Sequence, residues 1–132
     1  METTLVFIKP DGVKRHLIGE IIRRIEMRNL SVAALQMIVP ERSLVEEHYA
    51  EHRGKSFYEE TCTQLASDPI VLMAVKGENA IKAVRTMMGA TNPIDAAPGT
   101  VRGDLALSIE ANLVHSSEHA AAAERELKLW FK

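Results

Sequence analysis

Residues Thr3–Gly12, TTLVFIKPDG, place a run of branched and aromatic residues directly before a Pro-Asp-Gly tripeptide. The run carries no charge before Lys9, which is typical of a buried strand, and proline followed closely by glycine favours a turn. A lysine that closes a buried strand beside a turn is well placed to face a cleft. We therefore predict a first strand that ends at Lys9 and a turn at Pro10-Asp11-Gly12.

Helical and extended patterns alternate along the rest of the chain. Isoleucines at spacings of three and four from Ile18 to Ile25 form one apolar stripe, which predicts a helix that ends near Asn29. Gly89 is suited to close a later helix, because glycine readily adopts the left-handed conformation found there. The other predicted elements are a central strand at 30–39, helices over 41–67 with a break at Gly54, a strand at 70–75, a helix marked by Ile81, Val84 and Met88, an ordered loop at 90–104, a strand near 105–113 and a helix from about Ser117.

This order of elements indicates an α+β fold. Strand, helix, strand, helices, strand, helix, strand and helix fit a ferredoxin-like α/β sandwich, with a four-stranded antiparallel sheet covered by helices, better than a doubly wound parallel sheet. The length of 132 residues and the hydrophobic content of 46% are those of one domain. We expect a single domain over residues 1–132.

Charge and cysteine content restrict the partners and the compartment. The formal net charge of -2 provides no general attraction to nucleic acid or to an anionic membrane. No apolar run reaches the length of a membrane span, and the N-terminus lacks the pattern of a signal peptide. Cys62 is the only cysteine, so an intramolecular disulfide is impossible, which suits a reducing compartment. We predict a cytoplasmic protein without membrane or specific nucleic-acid partners.

Three cations are candidates for a local anion site: Lys9 after the first strand, Arg85 on a predicted helix and Arg102 between two glycines. The chain has neither a P-loop nor a dinucleotide fingerprint, so an enzyme of nucleotides would have to hold phosphate in another way. Arginine offers phosphate a planar fork of donors, and lysine offers a mobile point charge. A solvated surface position is the alternative interpretation of each cation.

The histidines offer two candidate sites. His48 and His52 are spaced to share a metal ion on one helix face, although a metal site needs further ligands. His115 follows Leu113-Val114 and precedes a predicted helix start, whose unpaired N–H groups would receive a phosphate carried on the imidazole. A polar strand-to-helix turn without chemistry is the alternative for His115.

Five motifs together resemble the signatures of nucleoside diphosphate kinases, over residues 5–131. The motifs are Ile8-Lys9-Pro10-Asp11-Gly12, Tyr49-x-x-His52-x-x-Lys55-x-Phe57, Thr91-Asn92-Pro93, Pro98–Asp104 (PGTVRGD) and Asn112-x-x-His115. The resemblance implies a ferredoxin-like core and a ping-pong exchange, in which His115 takes the γ-phosphate of a nucleoside triphosphate such as ATP and passes it to another nucleoside diphosphate. It also implies that Glu126 holds the second ring nitrogen of that histidine.

The resemblance assigns roles around the substrate as well. Tyr49 would border the histidine, and Phe57 would stack on the base with Ile109 on the other face, an arrangement that tolerates every base. Mg²⁺ is implied as the cofactor, held by the nucleotide and water rather than by a protein metal site. Family members are homo-oligomers, so a tetramer or a hexamer is expected. The residues that would contact the phosphates and ribose are Lys9, Arg85, Thr91, Arg102 and Asn112.

The sequence after the histidine departs from that of the family. Relatives usually read Gly-Ser-Asp-Ser there, and this chain reads Ser116-Ser117-Glu118-His119. A side chain at 116 would be strained if the position requires a positive φ, and a charged His119 would be a further cation near phosphate. The alternatives to an active kinase are a catalytically impaired regulatory homologue that binds nucleotide and an interaction protein that binds none. The complete set of phosphate-contacting residues favours the kinase.

Overall fold

Four strands and seven α-helices make up the computed structural model, which describes residues 1–131. The strands are β1 (Glu2–Ile8), β2 (Ser31–Ile38), β3 (Ile70–Gly77) and β4 (Val114–Ser116). The helices are α1 (Pro10–Lys14), α2 (Ile18–Met27), α3 (Arg42–His48), α4 (Tyr58–Ser67), α5 (Ala80–Met88), α6 (Val101–Leu105) and α7 (Ala120–Trp130), and single 3-10 turns cover Ala50–His52, Pro93–Asp95 and Ile109–Ala111. The sheet is antiparallel in the order β2-β3-β1-β4, which is the predicted ferredoxin-like sandwich. Over residues 1–131 no helix has the length and hydropathy needed to cross a membrane.

The inner strand β1 supplies both faces of the core. Its residues from Leu5 to Ile8 expose no surface to solvent. Because successive side chains of a strand point to opposite faces, Leu5 and Phe7 pack against α3, α4 and α7, whereas Val6 and Ile8 pack against α2 and α5. An unbroken apolar run is what a strand covered on both faces requires, so TTLVFI is accounted for by its position.

The structure confirms β1, α2, β3 and α5 near their predicted bounds, and Gly89 ends α5 at a φ of 88°. The prediction of a central strand at 30–39 is wrong in its placement, because β2 lies at the edge of the sheet. Leu35 and Met37 in that strand are 53% and 56% exposed. The apolar character of β2 therefore does not arise from burial on both faces within this chain.

The predictions for residues 90–113 are wrong in two respects. Residues 90–104 contain the 3-10 turn Pro93–Asp95 and the start of α6, so this segment is not entirely irregular. No strand covers residues 105–113, where Leu107 and Ile109 are 81% and 50% exposed. The last strand is reduced to β4, because these apolar side chains lie on the surface instead of alternating into the core.

Three helix boundaries also differ from the predictions. Pro10 opens α1 instead of a turn, since its fixed φ and missing N–H suit the first position of a helix. The helical stretch predicted for 41–67 is interrupted from Tyr49 to Phe57, a wider break than Gly54 alone. The last helix begins at Ala120 rather than at Ser117.

Candidate active site

His115 lies in β4, on the face of the sheet that α7 covers. It pairs in register with Phe7 of β1, and the two rings stack with centroids 4.7 Å apart. Glu126 of α7 places Oε1 2.9 Å from Nε2 of His115. Ser117 donates its hydroxyl to the same Oε1 over 2.8 Å and accepts the N–H of Leu5. The carboxylate is therefore held against one nitrogen of the imidazole.

Burial and hydrogen bonding together shift the pKa values of this pair. Burial is the largest cause for His115 and, with the charges of Lys9 and Arg102, lowers its pKa below the ordinary value, against the hydrogen bond and charge of Glu126. Burial is the largest single influence on Glu126 and raises its pKa, but the hydrogen bonds from His115 and Ser117 act against it, and the pKa lies below its ordinary value. We assign an ionised Glu126 and a neutral His115 that carries its proton on Nε2. Nδ1 has no hydrogen-bond partner within residues 1–131 and keeps a free lone pair.

A cavity beside His115 is lined by most of the predicted site residues. Lys9 Nζ donates to Oδ1 of Asn112 over 2.8 Å, and burial, followed by the charge of Arg102, lowers the pKa of Lys9 to about 8. Three cationic side chains beside a neutral imidazole make the cavity suitable for a polyanion. The predicted residues that line it are Lys9, Tyr49, Arg85, Thr91, Arg102, Asn112, His115 and Glu126.

Arg102 connects the segments that surround this cavity. Its Nε donates to the carbonyl of Asn112, Nη1 to that of Gly89 and Nη2 to that of Val114, over 3.1, 2.9 and 2.6 Å. Burial, followed by the charge of Arg85, lowers the pKa of Arg102 to about 10, so it stays charged at neutral pH. A guanidinium has five N–H donors, and three are used here. Arg102 thus has a structural role, and two of its N–H groups are not used by these three carbonyls.

A second cavity adjoins the first and contains the two residues predicted to hold a base. Lys9 and Tyr49 line both cavities, and Phe57 and Ile109 line only the second. Phe57 is 48% exposed and Ile109 is 50% exposed, so their apolar surfaces are open to a ligand. Burial raises the pKa of the Tyr49 hydroxyl, which therefore stays protonated. The arrangement offers apolar surface at one end and cations at the other.

His48 and His52, whose spacing left a shared metal ion as a possibility, are not brought together as a site. His52 lies in a 3-10 turn with Nδ1 2.9 Å from Nζ of Lys55, whereas His48 is buried at the end of α3. Among the residues that the structure describes, the group with ligand-type atoms closest together is His48, His115 and Glu126, all within 4.8 Å. His115 and Glu126 are already hydrogen-bonded to each other in this group.

Two residues near His115 gave no signal in the sequence. Trp130 donates its Nε1–H to Nδ1 of His48 over 3.0 Å, across 82 positions of the chain. In the sequence, Ser117 is part of a predicted helix start and of the segment that differs from relatives, and neither feature indicates that it holds Glu126. Spacing rules act along one helix or strand, so they do not detect a contact of this range.

Position 116 does not require the positive φ that would strain a side chain there. Ser116 lies in the extended strand β4 and not at a positive φ, and Leu113 has the left-handed φ of 75° instead. The Ser116 hydroxyl is buried without a hydrogen-bond partner in residues 1–131. His119 caps α7 by accepting the N–H of Ala122 at Nδ1 over 3.1 Å. One of the backbone N–H groups at the start of α7 thus has a hydrogen-bond partner within the chain.

Comparisons with known proteins agree on one family. The family model described as nucleoside diphosphate kinase matches residues 2–132. A nucleoside diphosphate kinase of Rubrobacter xylanophilus is 57% identical over 99% of this chain and 98% of its own length. That of Mycobacterium bovis is 52% identical over 98% of this chain and 96% of its own. The structure of a halophilic nucleoside diphosphate kinase from Halobacterium salinarum in complex with CDP superposes with a TM-score of 0.97, at 42% identity, over 99% of this chain and 88% of that one.

Proposed function

Because this chain belongs to the nucleoside diphosphate kinase family, whose members are phosphotransferases, we propose that residues 1–132 act as a single domain that transfers the γ-phosphate of ATP or another nucleoside triphosphate to a nucleoside diphosphate. The phosphate passes through a covalent intermediate on His115, and the reaction maintains the pools of nucleoside and deoxynucleoside triphosphates. The observation that carries this proposal is the hydrogen bond between Nε2 of His115 and Glu126, which leaves Nδ1 as a nucleophile in a cavity with three cations.

The reaction consists of two transfers to and from one nitrogen. The lone pair on Nδ1 of His115 attacks the γ-phosphorus, an N–P bond forms, and the bond to the β-γ bridging oxygen breaks, which releases a nucleoside diphosphate. A terminal oxygen of a second nucleoside diphosphate then attacks the same phosphorus, and the N–P bond breaks. No proton has to move, because Nδ1 is unprotonated and the proton on Nε2 stays hydrogen-bonded to Glu126.

The cationic lining of the cavity would bind the phosphates. Lys9, Arg85 and the two unused donors of Arg102 would stabilise the negative charge, and Thr91 and Asn112 would add neutral contacts to phosphate and ribose. Mg²⁺ fits this site as an ion held by the nucleotide, since it retains most of its water and, when bound, neutralises phosphate oxygens. The exposed carboxylates of Glu51 and Glu118 line the cavity and would receive hydrogen bonds from that water.

The second cavity would hold the base. Phe57 would stack on one face of the ring and Ile109 would contact the other, with Tyr49 between the base end and His115. Stacking does not discriminate among bases, so broad nucleotide use follows from this geometry. The solved relative from Halobacterium salinarum is described in complex with CDP, which supports a nucleotide as the ligand of this chain.

Self-association is proposed for the exposed surface of β2. Leu35, Met37 and Val39 are each more than half exposed, at 53%, 56% and 57%, on and beside an edge strand with unpaired backbone groups. Such an edge is usually covered, and a second copy of the chain is the occupant that a homo-oligomer supplies. Light scattering after size exclusion distinguishes a tetramer or hexamer from a monomer.

Buried, unpaired Cys62 suits the cytoplasm as the proposed location.

The proposed function is tested with γ-labelled ATP and Mg²⁺. We expect an acid-labile, alkali-stable label on the wild type that a second nucleoside diphosphate removes, and no label on His115→Ala. The matched control is His16→Asn, which changes an exposed histidine that lines neither cavity, to a residue that tolerates the φ of 61° found there. Nucleotide binding without label would instead favour the impaired regulatory homologue, and the absence of both would favour an interaction protein.

A further inference from the structure

His48 lies beside His115, and the two transfers described above do not use it. Only 4% of His48 is exposed, and its ring meets that of His115 edge to face, with centroids 4.5 Å apart and planes at 82°. His48 also borders the cavity that contains His115. A buried imidazole has two polar nitrogens, and each normally has a hydrogen-bond partner.

One nitrogen of His48 has its partner in α7. Trp130 donates Nε1–H to Nδ1 of His48 over 3.0 Å in a buried hydrogen bond. An indole N–H only donates, so Nδ1 must be unprotonated. Burial lowers the pKa of His48 to about 3, and the ring is therefore neutral. A neutral imidazole with an unprotonated Nδ1 carries its proton on Nε2.

The second nitrogen, Nε2, is left as a donor without a partner among residues 1–131. We propose that the Nε2–H of His48 donates a hydrogen bond to an oxygen of the phosphoryl group carried by His115, and that Trp130 fixes the tautomer that makes this donation possible. The inference rests on the proposed phosphohistidine. His48 would be a catalytic residue because it touches the transferred group, and Trp130 would be a positioning residue that acts through His48.

The spacing and charge of the cluster suit this role. Ligand-type atoms of His48, His115 and Glu126 lie within 4.8 Å of one another, and both imidazoles border one cavity, so a phosphoryl group on His115 would lie beside the His48 ring. Lys9, Arg85 and Arg102 already supply positive charge to the cavity. A neutral donor adds a hydrogen bond in a fixed direction without a further buried charge, and such preorganised donors stabilise a developing anion efficiently.

Two substitutions at His48 separate the nitrogens. His48→Asn places an amide near the former Nδ1, where its oxygen still accepts from Trp130, but it has no donor at the former Nε2. His48→Gln reaches the former Nε2 with an amide donor and loses the acceptor for Trp130. We expect rapid-quench measurements of phosphoenzyme formation from γ-labelled ATP to show a slowing of about ten- to a hundredfold in His48→Asn and a clearly smaller loss in His48→Gln. Equal rates in wild type and His48→Asn would overturn the proposal.

A spectroscopic measurement tests the tautomer without relying on the rate or on a variant at His48. In protein labelled with ¹⁵N-histidine, we expect an unprotonated Nδ1 and a protonated Nε2 for His48 in the wild type, and a mixture of tautomers in Trp130→Phe, which keeps an aromatic ring and removes the donor. The ³¹P resonance of the phosphohistidine should shift in both Trp130→Phe and His48→Asn. A proton on Nδ1 in the wild type would overturn the inference alone. A wild type that forms no phosphoenzyme would contradict the proposed function, and this inference with it.

Discussion

Nε2 of His115 lies 2.9 Å from Oε1 of Glu126, and this contact between β4 and α7 determines which ring nitrogen is free. The hydroxyl of Ser117 also donates to this Oε1, so a second hydrogen bond helps to hold the carboxylate in position. Nδ1 is the nitrogen that stays free, because Nε2 is occupied.

Replacement of Glu126 by glutamine should slow phosphoenzyme formation by about tenfold or more, since an amide oxygen still accepts from His115 but no longer stabilises positive charge on the ring. The pKa of His115 should fall further, because Glu126 raises it in the wild type. Labelling rates and an NMR titration of His115 measure both effects. Glu124→Gln is the control, since Glu124 lies on the same helix, exposed and paired with Lys128. Equal rates for the two variants would contradict the assignment.

Nucleotide binding should weaken as the pH rises through about 8, the value to which burial and the charge of Arg102 lower the pKa of Lys9. Below that pH Lys9 is a cation that attracts phosphate, and above it the charge is lost. The dissociation constant of a non-hydrolysable nucleoside triphosphate should rise by up to about tenfold per pH unit. Isothermal titration calorimetry measures it. Lys9→Met should bind more weakly at neutral pH and lack this dependence, and a wild-type affinity that is constant across this range would contradict the prediction.

Arg102→Lys should lower the free energy of unfolding by about 2 to 4 kcal/mol. A single ammonium cannot reach the carbonyls of Asn112, Gly89 and Val114 together, so buried acceptors are left without donors. Urea unfolding followed by circular dichroism gives the value. Arg15→Lys, at an exposed arginine that also donates to a backbone carbonyl, should cost less than about 1 kcal/mol. Equal losses in the two variants would show that the three hydrogen bonds contribute little.

Ser116→Ala should stabilise the protein, because it removes a buried hydroxyl that has no partner among the described residues. The expected gain is about 1 kcal/mol, or roughly 3 °C in Tm. The backbone carbonyl of Ser116, which accepts from Arg85, is retained. Thermal unfolding measures the change against Ser108→Ala, an exposed serine whose hydroxyl makes no cap hydrogen bond. A loss of stability in Ser116→Ala would indicate that the hydroxyl has a partner in solution.

Local patterns in the sequence were sufficient for much of the fold. The run LVFI at 5–8 is apolar because β1 is covered on both faces, and the isoleucine stripe is apolar because α2 is covered on one. In both cases the apolar pattern of the element itself shows which of its faces are buried. In β2 and at Leu107 and Ile109, apolar residues are exposed, so apolar character did not indicate burial there. The sequence therefore predicted a central strand and a long last strand, and both predictions were wrong.

The sequence by itself determined the α+β class, the family resemblance and the set of candidate residues from Lys9 to Glu126. Only the tertiary structure decided which contacts the side chains make. Arg102 donates three hydrogen bonds to backbone carbonyls, His119 caps α7, and Trp130 fixes the tautomer of His48. The physical reason is range. Propensity and periodicity act over a few residues. The hydrogen bond that orients His48 joins residues that are 82 positions apart in the chain, and the one that holds Ser117 against Leu5 joins residues 112 positions apart. Both form only when the sheet and α7 have packed.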